Sequence, residues 1–169
     1  MKRDCFDWPA TALLWVAALM AALLVLAMMY EVFSRYVLNA PTLWAFDVSY
    51  MLNGAMFILG CAYALKVEAH VRIDFLATRL KPALQRGINA AFYLLLLAPI
   101  LGALTWVAGK RTWHAFVSGE VEHVSPWAPV MWPFYSALAI GLAALTLQVL
   151  IDACHFIAGS KQPGAGEAE

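Results

Sequence analysis

The sequence is poor in charged residues. Only 13% of its 169 residues are charged and 63% are hydrophobic, whereas soluble domains are about 25% charged and about 45 to 50% apolar. The acidic and basic residues balance to a formal net charge of zero, and they lie between apolar blocks rather than in one basic patch. This composition predicts a membrane protein and gives no indication of a nucleic-acid partner.

The sequence also lacks paired cysteines and the motifs of common enzymes. Its three cysteines, Cys5, Cys61 and Cys154, are far apart and form no CxxC pair, and an odd number argues against a disulfide framework. There is no GxSxG, no HExxH and no glycine-rich phosphate loop. His70 and Asp74 are four residues apart, but two ligands are too few for a metal site. We therefore expect no enzyme activity, no metal and no cofactor.

Four long runs without charge are present instead, at residues 8–30, 48–65, 87–109 and 124–151. A helix needs about 20 apolar residues to cross the roughly 30 Å hydrocarbon core of a bilayer, and in lipid the backbone must be helical. We predict an all-α membrane protein with spans at about 9–31, 45–65, 87–109 and 131–152. These spans form one domain at residues 1–158, followed by a disordered tail at residues 159–169, where small and polar residues predominate.

The basic residues predict the orientation of these spans. Residues 38–42 form a short turn between the first two spans, and four spans place both termini on one side of the membrane. Eight of the eleven Lys and Arg residues belong to that side, namely Lys2, Arg3, Lys66, Arg72, Arg79, Lys81, Arg86 and Lys161. Only Arg35, Lys110 and Arg111 lie on the other side. The positive-inside rule then predicts that both termini are cytoplasmic.

The membrane core lacks ionisable side chains. None of the four uncharged runs contains an acid, a base or a histidine, whereas a transporter that acts alone usually keeps such a residue at membrane depth. The polar residues that remain, including Asn53, Thr105, Thr146 and Gln148, are expected to form interhelical hydrogen bonds. These features indicate a scaffold or a subunit rather than a self-sufficient conduit.

Two alternative functions stay open at this point. A haem-binding membrane anchor would need imidazoles on facing helices, and the four histidines lie instead in loops or at membrane ends, at His70, His114, His123 and His155. A small autonomous four-span transporter is the other alternative.

The charged residues near the first turn have more than one possible partner. Glu31 and Arg35 are four residues apart with the acid first, which is the favourable order for an ion pair on a helix. Arg35 and Asp47 flank the turn, so they could pair across the hairpin of the first two spans. Arg35 could also contact another subunit.

Two stretches of sequence carry a resemblance to a known family. They are FSRYVLNAPTLWAFDVSYML at residues 33–52 and FILGCAYALKVEAHVRIDFL at residues 57–76, with a weaker third match in SPWAPVMWPFYSALAIGLAALTLQ at residues 125–148. The chain resembles the small membrane subunit of tripartite ATP-independent periplasmic (TRAP) transporters, the DctQ-like group. The acid after the tryptophan is commonly Glu in that family and is Asp47 here, one methylene shorter.

The resemblance implies a transport function in the bacterial inner membrane. It implies a multi-pass, non-catalytic scaffold subunit, surrounded by membrane lipids, beside a large membrane subunit. The large subunit would import an organic acid, a carboxylate or sugar acid, in symport with sodium, after delivery by a periplasmic binding protein. The matching positions make Arg35, Trp44 and Asp47 candidates for hairpin docking or partner contact, and His70, Arg72 and Asp74 a cytoplasmic-loop motif.

Overall fold

The computed structural model describes residues 8–66, 87–88 and 90–157 of the chain. This part is helical and contains α1 (Trp8–Tyr36), α2 (Ala45–Lys66), α3 (Ala98–Ser118) and α4 (Trp132–Ile157). Across the described residues the backbone forms one isolated antiparallel bridge, Val121–Val130, and no strand. Within the described residues, four helices are long and apolar enough to cross a membrane. The predicted all-α protein with four membrane-length helices is therefore confirmed.

The helices pack side by side in the order α1, α2, α4, α3. α2 and α4 approach each other closely, since a Cβ atom on Gly141 would lie 2.8 Å from Ile58 Cγ2 and 3.0 Å from the Ile58 carbonyl carbon. A Cβ on Gly54 would lie 3.0 Å from the Phe134 ring. Small residues at these crossings let the backbones approach. The order leaves α1 and α3 at the two edges, with broad outward faces.

A π-helical segment, Phe92–Leu97, leads into α3. Pro99 follows in the first turn of α3 and has no N–H to donate to the preceding turn, which favours a local change of hydrogen-bond register. This segment packs against the far ends of α2 and α4. The buried cluster there contains Leu65, Ala90, Tyr93, Val149 and Ala153.

Two helices extend beyond the uncharged runs that suggested them. α1 reaches Tyr36 and α3 reaches Ser118, whereas the expected spans ended at residues 31 and 109. Charge does not end a helix; a change in backbone conformation does. α3 ends where Gly119 takes a left-handed φ of 61° and donates its N–H to the Ala115 carbonyl. Lys110 and Arg111 therefore lie within α3, about two turns before its end.

Several sequence predictions concern residues outside the described part of the chain. They are the loop motif at His70, Arg72 and Asp74, the tail at residues 159–169, and Cys5. The described helix α4 includes Cys154, which is exposed, and Cys61 on α2 is partly exposed.

Candidate functional site

One end of the helices, which we call the loop end, carries both described connections. The first connection, residues 37–44, joins α1 to α2, and the second, residues 119–131, joins α3 to α4. In the first, the Ala40 N–H donates to the Ser34 carbonyl at 3.0 Å and the Ser34 hydroxyl donates to the Ala40 carbonyl. Asn39 has a φ of 53°, a left-handed conformation that asparagine tolerates better than most residues. These bonds close a tight hairpin.

Glu31 lies at the centre of this hairpin, with only 8% of its surface exposed. One carboxylate oxygen, Oε1, accepts hydrogen bonds from Nε of Arg35, at 2.9 Å, and from Nη2. The other, Oε2, accepts from the backbone N–H of Thr42, at 3.0 Å, and from its hydroxyl. Glu31 therefore joins the end of α1 to the residues that enter α2. Its spacing to Arg35 was visible in the sequence, but its contact with Thr42, eleven residues away, had no local signal.

Asp47 is also buried, with 3% exposed, and its partner comes from the second connection. The Ser125 hydroxyl donates to Asp47 Oδ2 and accepts the Trp127 N–H at 3.2 Å. The structure thus pairs Arg35 with Glu31, and it joins Asp47 to Ser125 rather than to Arg35. The physical reason is local geometry, because Glu31 is one helical turn from Arg35, while Asp47 begins the next helix and faces residues 119–131.

Aromatic side chains complete the packing at the loop end. Trp44 stacks on Tyr30 across the hairpin, with ring centroids 5.8 Å apart and planes 24° apart. The Tyr50 hydroxyl donates to Glu122 Oε2 at 3.4 Å, and its ring meets the edge of Phe134 at 5.7 Å. Trp44 therefore holds α1 against α2, while Tyr50 joins α2 to α4 and the second connection.

A cleft of about 370 Å³ opens beside these residues. Two carboxylates face it, Asp47 and Glu122, with the Tyr50 and Ser125 side chains between them. Each of the four makes a hydrogen bond inside the chain. The arrangement has the chemistry of a structural joint between helices, in which Asp47 is buried and Glu122 is partly exposed.

The other half of the loop end is held by an ion pair. Arg111 Nη2 donates to Glu120 Oε1, its guanidinium lies 5.1 Å from the Tyr135 ring centroid, and His114 Nδ1 is 3.8 Å from Glu120 Oε2. The Met131 N–H donates to the Glu120 carbonyl at 3.0 Å. These contacts fold residues 119–131 back on themselves. Sequence reasoning did not identify the Arg111–Glu120 pair, because nine residues and a helix end separate its members.

The polar residues within the spans take different roles. Thr105 and Thr146 form an interhelical hydrogen bond at 3.1 Å, as the sequence predicts. Asn53 lies on an exposed side of α2. Gln148 is buried, and its amide lies 3.4 Å from Asp152 Oδ1 one turn along the same helix, rather than across to another helix. Asp152 itself is only 2% exposed. It was not among the predicted polar residues of the spans, because the fourth uncharged run ends at Ile151.

Comparisons with known proteins agree with the sequence resemblance. The family sequence model described as "Tripartite ATP-independent periplasmic transporters, DctQ component" matches residues 24–159. A curated relative is the sialic acid TRAP transporter small permease protein SiaQ of Vibrio cholerae serotype O1, which is 39% identical over 62 residues. That match covers 37% of this chain and 35% of the relative, about a third of its length. Because the family match spans most of the chain, including all of α2, α3 and α4 and the second part of α1, the protein belongs to the DctQ component family of TRAP transporters.

Proposed function

We propose that this protein is the small, non-catalytic scaffold subunit of a TRAP transporter. It supports a large membrane subunit that imports an organic acid together with sodium. The observation that carries this proposal, beside family membership, is the internal use of the buried carboxylates at the loop end. Glu31 binds Arg35 and Thr42, and Asp47 binds Ser125, so both carboxylates join helices within the chain. Substrate and sodium sites accordingly belong to another subunit.

The proposed orientation places the loop end in the periplasm and both termini in the cytoplasm of a bacterial cell, with the helices in the inner membrane. The excess of Lys and Arg on the side of the termini supports it. In this orientation the acidic cleft with Asp47 and Glu122 faces the side from which a periplasmic binding protein approaches the assembled complex.

The two groups of candidate contact residues keep separate proposed roles. Arg35, Trp44 and Asp47 shape the hairpin surface against which the large subunit docks, and the contacts of Arg35 with Glu31, of Trp44 with Tyr30 and of Asp47 with Ser125 support a preformed surface. His70, Arg72 and Asp74 shape the cytoplasmic loop, on the basis of their match to the family.

The proposed substrate class is a carboxylate or sugar acid. Support comes from the family and from the relative whose name specifies sialic acid, itself a sugar acid. Sialic acid is therefore the first compound for an uptake assay, followed by simple dicarboxylates and other sugar acids.

Co-purification tests the subunit assignment directly. The chain is tagged in its native host, extracted in mild detergent, and its partners are identified by mass spectrometry. We expect a much larger multi-span protein in a fixed ratio. Recovery of the chain alone, from an extract in which other membrane complexes stay intact, would refute the assignment. Uptake by this chain alone in liposomes would favour an autonomous transporter, and a haem absorbance spectrum would favour an anchor subunit.

Reconstitution of the recovered complex tests the sodium and binding-protein parts of the proposal. We expect uptake only when the periplasmic binding protein and an inward sodium gradient are both present. Equal uptake after collapse of the sodium gradient would contradict the sodium coupling while leaving the subunit assignment intact.

A further inference from the structure

One residue of the second connection has a strained backbone. Three of the described residues have a positive φ, and two of them suit it, because Gly119 has no Cβ and Asn39 tolerates the left-handed conformation. The third is Ala128, with a φ of 48°. Its Cβ makes this conformation costly, and Pro129 adds to the cost because a residue before proline favours an extended backbone. Strain of this kind persists only where the surroundings hold the residue, and it is typical of clamps and switches.

The base of the second connection is fixed as a short ladder. The Glu122 N–H donates to the Pro129 carbonyl at 2.9 Å, next to the bridge between Val121 and Val130. The ladder holds the two sides of the connection together, so movement within it is confined to the residues between them. We call residues 125–128, which include the strained alanine, the tip.

One side chain fastens the tip to α2. The Ser125 hydroxyl donates to Asp47 Oδ2 and accepts the Trp127 N–H at 3.2 Å, and the Ser125 carbonyl accepts the Ala128 N–H at 3.2 Å. The two N–H bonds are at the long end of the usual range, whereas the bond to the carboxylate is charge-assisted and therefore stronger. Asp47 itself is 3% exposed and begins α2. The bond from Ser125 to Asp47, which we call the latch, is thus the main contact that holds the tip in place.

An apolar cleft of about 520 Å³ lies between the tip and α2. The helix lines it with Val48, Met51 and Leu52, and the tip lines it with Trp127, which keeps 45% of its surface exposed. A volume of this size is in the range of pockets that enclose whole small molecules, so it has room for an indole ring. The cleft therefore gives Trp127 a second position, closer to α2.

We infer that the tip is a latched switch with two positions. In the position that the structure shows, the latch keeps Ala128 strained and Trp127 partly exposed. In the other position the latch is open, Ala128 is extended, and Trp127 lies in the cleft against α2. A hydrogen bond to a charged group and the strain of one residue contribute free energies of the same order, so the two positions are close in free energy.

The switch determines how firmly the second connection is joined to α2. While the latch is closed, both Asp47 and Tyr50 of α2 bind the connection, through Ser125 and Glu122. Opening the latch leaves the longer bond, from the Tyr50 hydroxyl to Glu122 at 3.4 Å. This device goes beyond the proposed function, because it depends on neither the substrate nor the large subunit.

Fluorine NMR of one labelled residue tests the switch. The chain contains seven tryptophans, so 5-fluorotryptophan is introduced at position 127 alone, through an amber codon, in the full chain in detergent. The resonance reports the environment of the ring, and its broadening by a soluble gadolinium chelate reports how accessible the ring is. We expect the chain without further changes to show a main accessible position and a minor protected one.

Three variants should shift this balance in different directions. Ser125→Ala removes the latch, and we expect it to raise the ratio of protected to accessible ring about tenfold or more. Ala128→Gly removes the strain and should lower that ratio, because glycine adopts a positive φ readily. The double variant should return towards the starting ratio. Ser118→Ala is the matched control, since the Ser118 hydroxyl bonds to the His114 carbonyl within α3, and it should leave the ratio unchanged.

The outcomes decide whether the latch and the strain oppose each other. An unchanged ratio in Ser125→Ala would overturn the inference, and so would a ring that becomes more accessible to gadolinium, which would indicate a frayed tip. The double variant distinguishes a switch from simple damage to the connection. Recovery of the starting ratio would support the switch, whereas the spectrum of Ser125→Ala persisting in the double variant would overturn it.

Discussion

Glu31 is the residue on which the hairpin geometry depends most directly. Each of its carboxylate oxygens accepts two hydrogen bonds, one pair from Arg35 and the other from Thr42. A carboxylate can accept at several sites around its two oxygens, and hydrogen bonds to a charged group are stronger than neutral ones. Removing the charge should therefore loosen the turn as well as the ion pair.

We predict that Glu31→Gln lowers the apparent melting temperature of the detergent-solubilised complex, because it weakens four hydrogen bonds at once. The expected loss is about 1 to 3 kcal/mol of unfolding free energy, the typical cost of leaving buried polar groups without good partners. Glu122→Gln is the matched control, since Glu122 accepts the Tyr50 hydroxyl at 3.4 Å and the Val124 N–H at 3.2 Å, both longer than the contacts of Glu31. An equal loss of stability in Glu31→Gln and Glu122→Gln would contradict a special role for Glu31.

The choice of partner for Arg35 gives a second prediction at the residue scale. Because Arg35 binds Glu31, the effects of Arg35→Ala and Glu31→Ala on stability should be coupled by about 0.5 kcal/mol, a modest value because Arg35 is half exposed. Arg35→Ala and Asp47→Ala should be additive within about 0.3 kcal/mol. Thermal unfolding of the single and double variants measures both couplings. A larger coupling of Arg35 with Asp47 than with Glu31 would show that Arg35 pairs across the hairpin instead.

At the scale of helices, the crossing of α2 and α4 leaves no room for a side chain at one position. A Cβ at Gly141 would meet both the side chain and the backbone of Ile58, at 2.8 and 3.0 Å. Backbone cannot move aside as a flexible side chain can. The separation of α2 and α4 is therefore set by the glycine itself.

We predict that Gly141→Ala destabilises the protein by about 1 to 3 kcal/mol, the usual cost of overpacking, as measured by thermal unfolding in detergent. Gly102→Ala on α3 is the matched control, because a Cβ there has nothing within 4 Å and alanine favours a helix over glycine by about 1 kcal/mol. We therefore expect the two substitutions to change the unfolding free energy in opposite directions. Destabilisation by both to the same degree would show that the crossing is not the cause.

At the scale of the whole molecule, orientation is the property that determines what the two ends can contact. The loop end carries two connections and an acidic cleft, whereas most Lys and Arg residues belong to the side of the termini. A binding protein in the periplasm can reach the acidic cleft only if the loop end is outside.

We predict that a cysteine replacing His123 reacts with a membrane-impermeant maleimide in intact spheroplasts, because His123 is exposed within residues 119–131. A cysteine replacing Lys161 should react only after permeabilisation. Both are made in a background from which Cys5, Cys61 and Cys154 have been removed. The reverse labelling pattern would invert the orientation and place the acidic cleft in the cytoplasm.

Much of the fold follows from the sequence because the bilayer imposes a simple rule. Long uncharged runs must be helical in lipid, and four runs led to the four membrane-length helices that the structure contains. The ends of α1 and α3 did not follow, because they depend on backbone conformation at Asn39 and Gly119. An uncharged run ends at the first charged residue, whereas a helix ends where its backbone hydrogen bonds end.

For the loop end, the sequence by itself determined which residues carry charge and which lie one helical turn apart, and so made Glu31 one of the candidate partners of Arg35. Only the tertiary structure decided that Thr42 completes this site and that Asp47 binds Ser125, 78 residues away. The reason is physical. Spacing along one helix is set by a fixed rise and turn, whereas contacts between helices depend on how close small residues such as Gly141 allow two backbones to come.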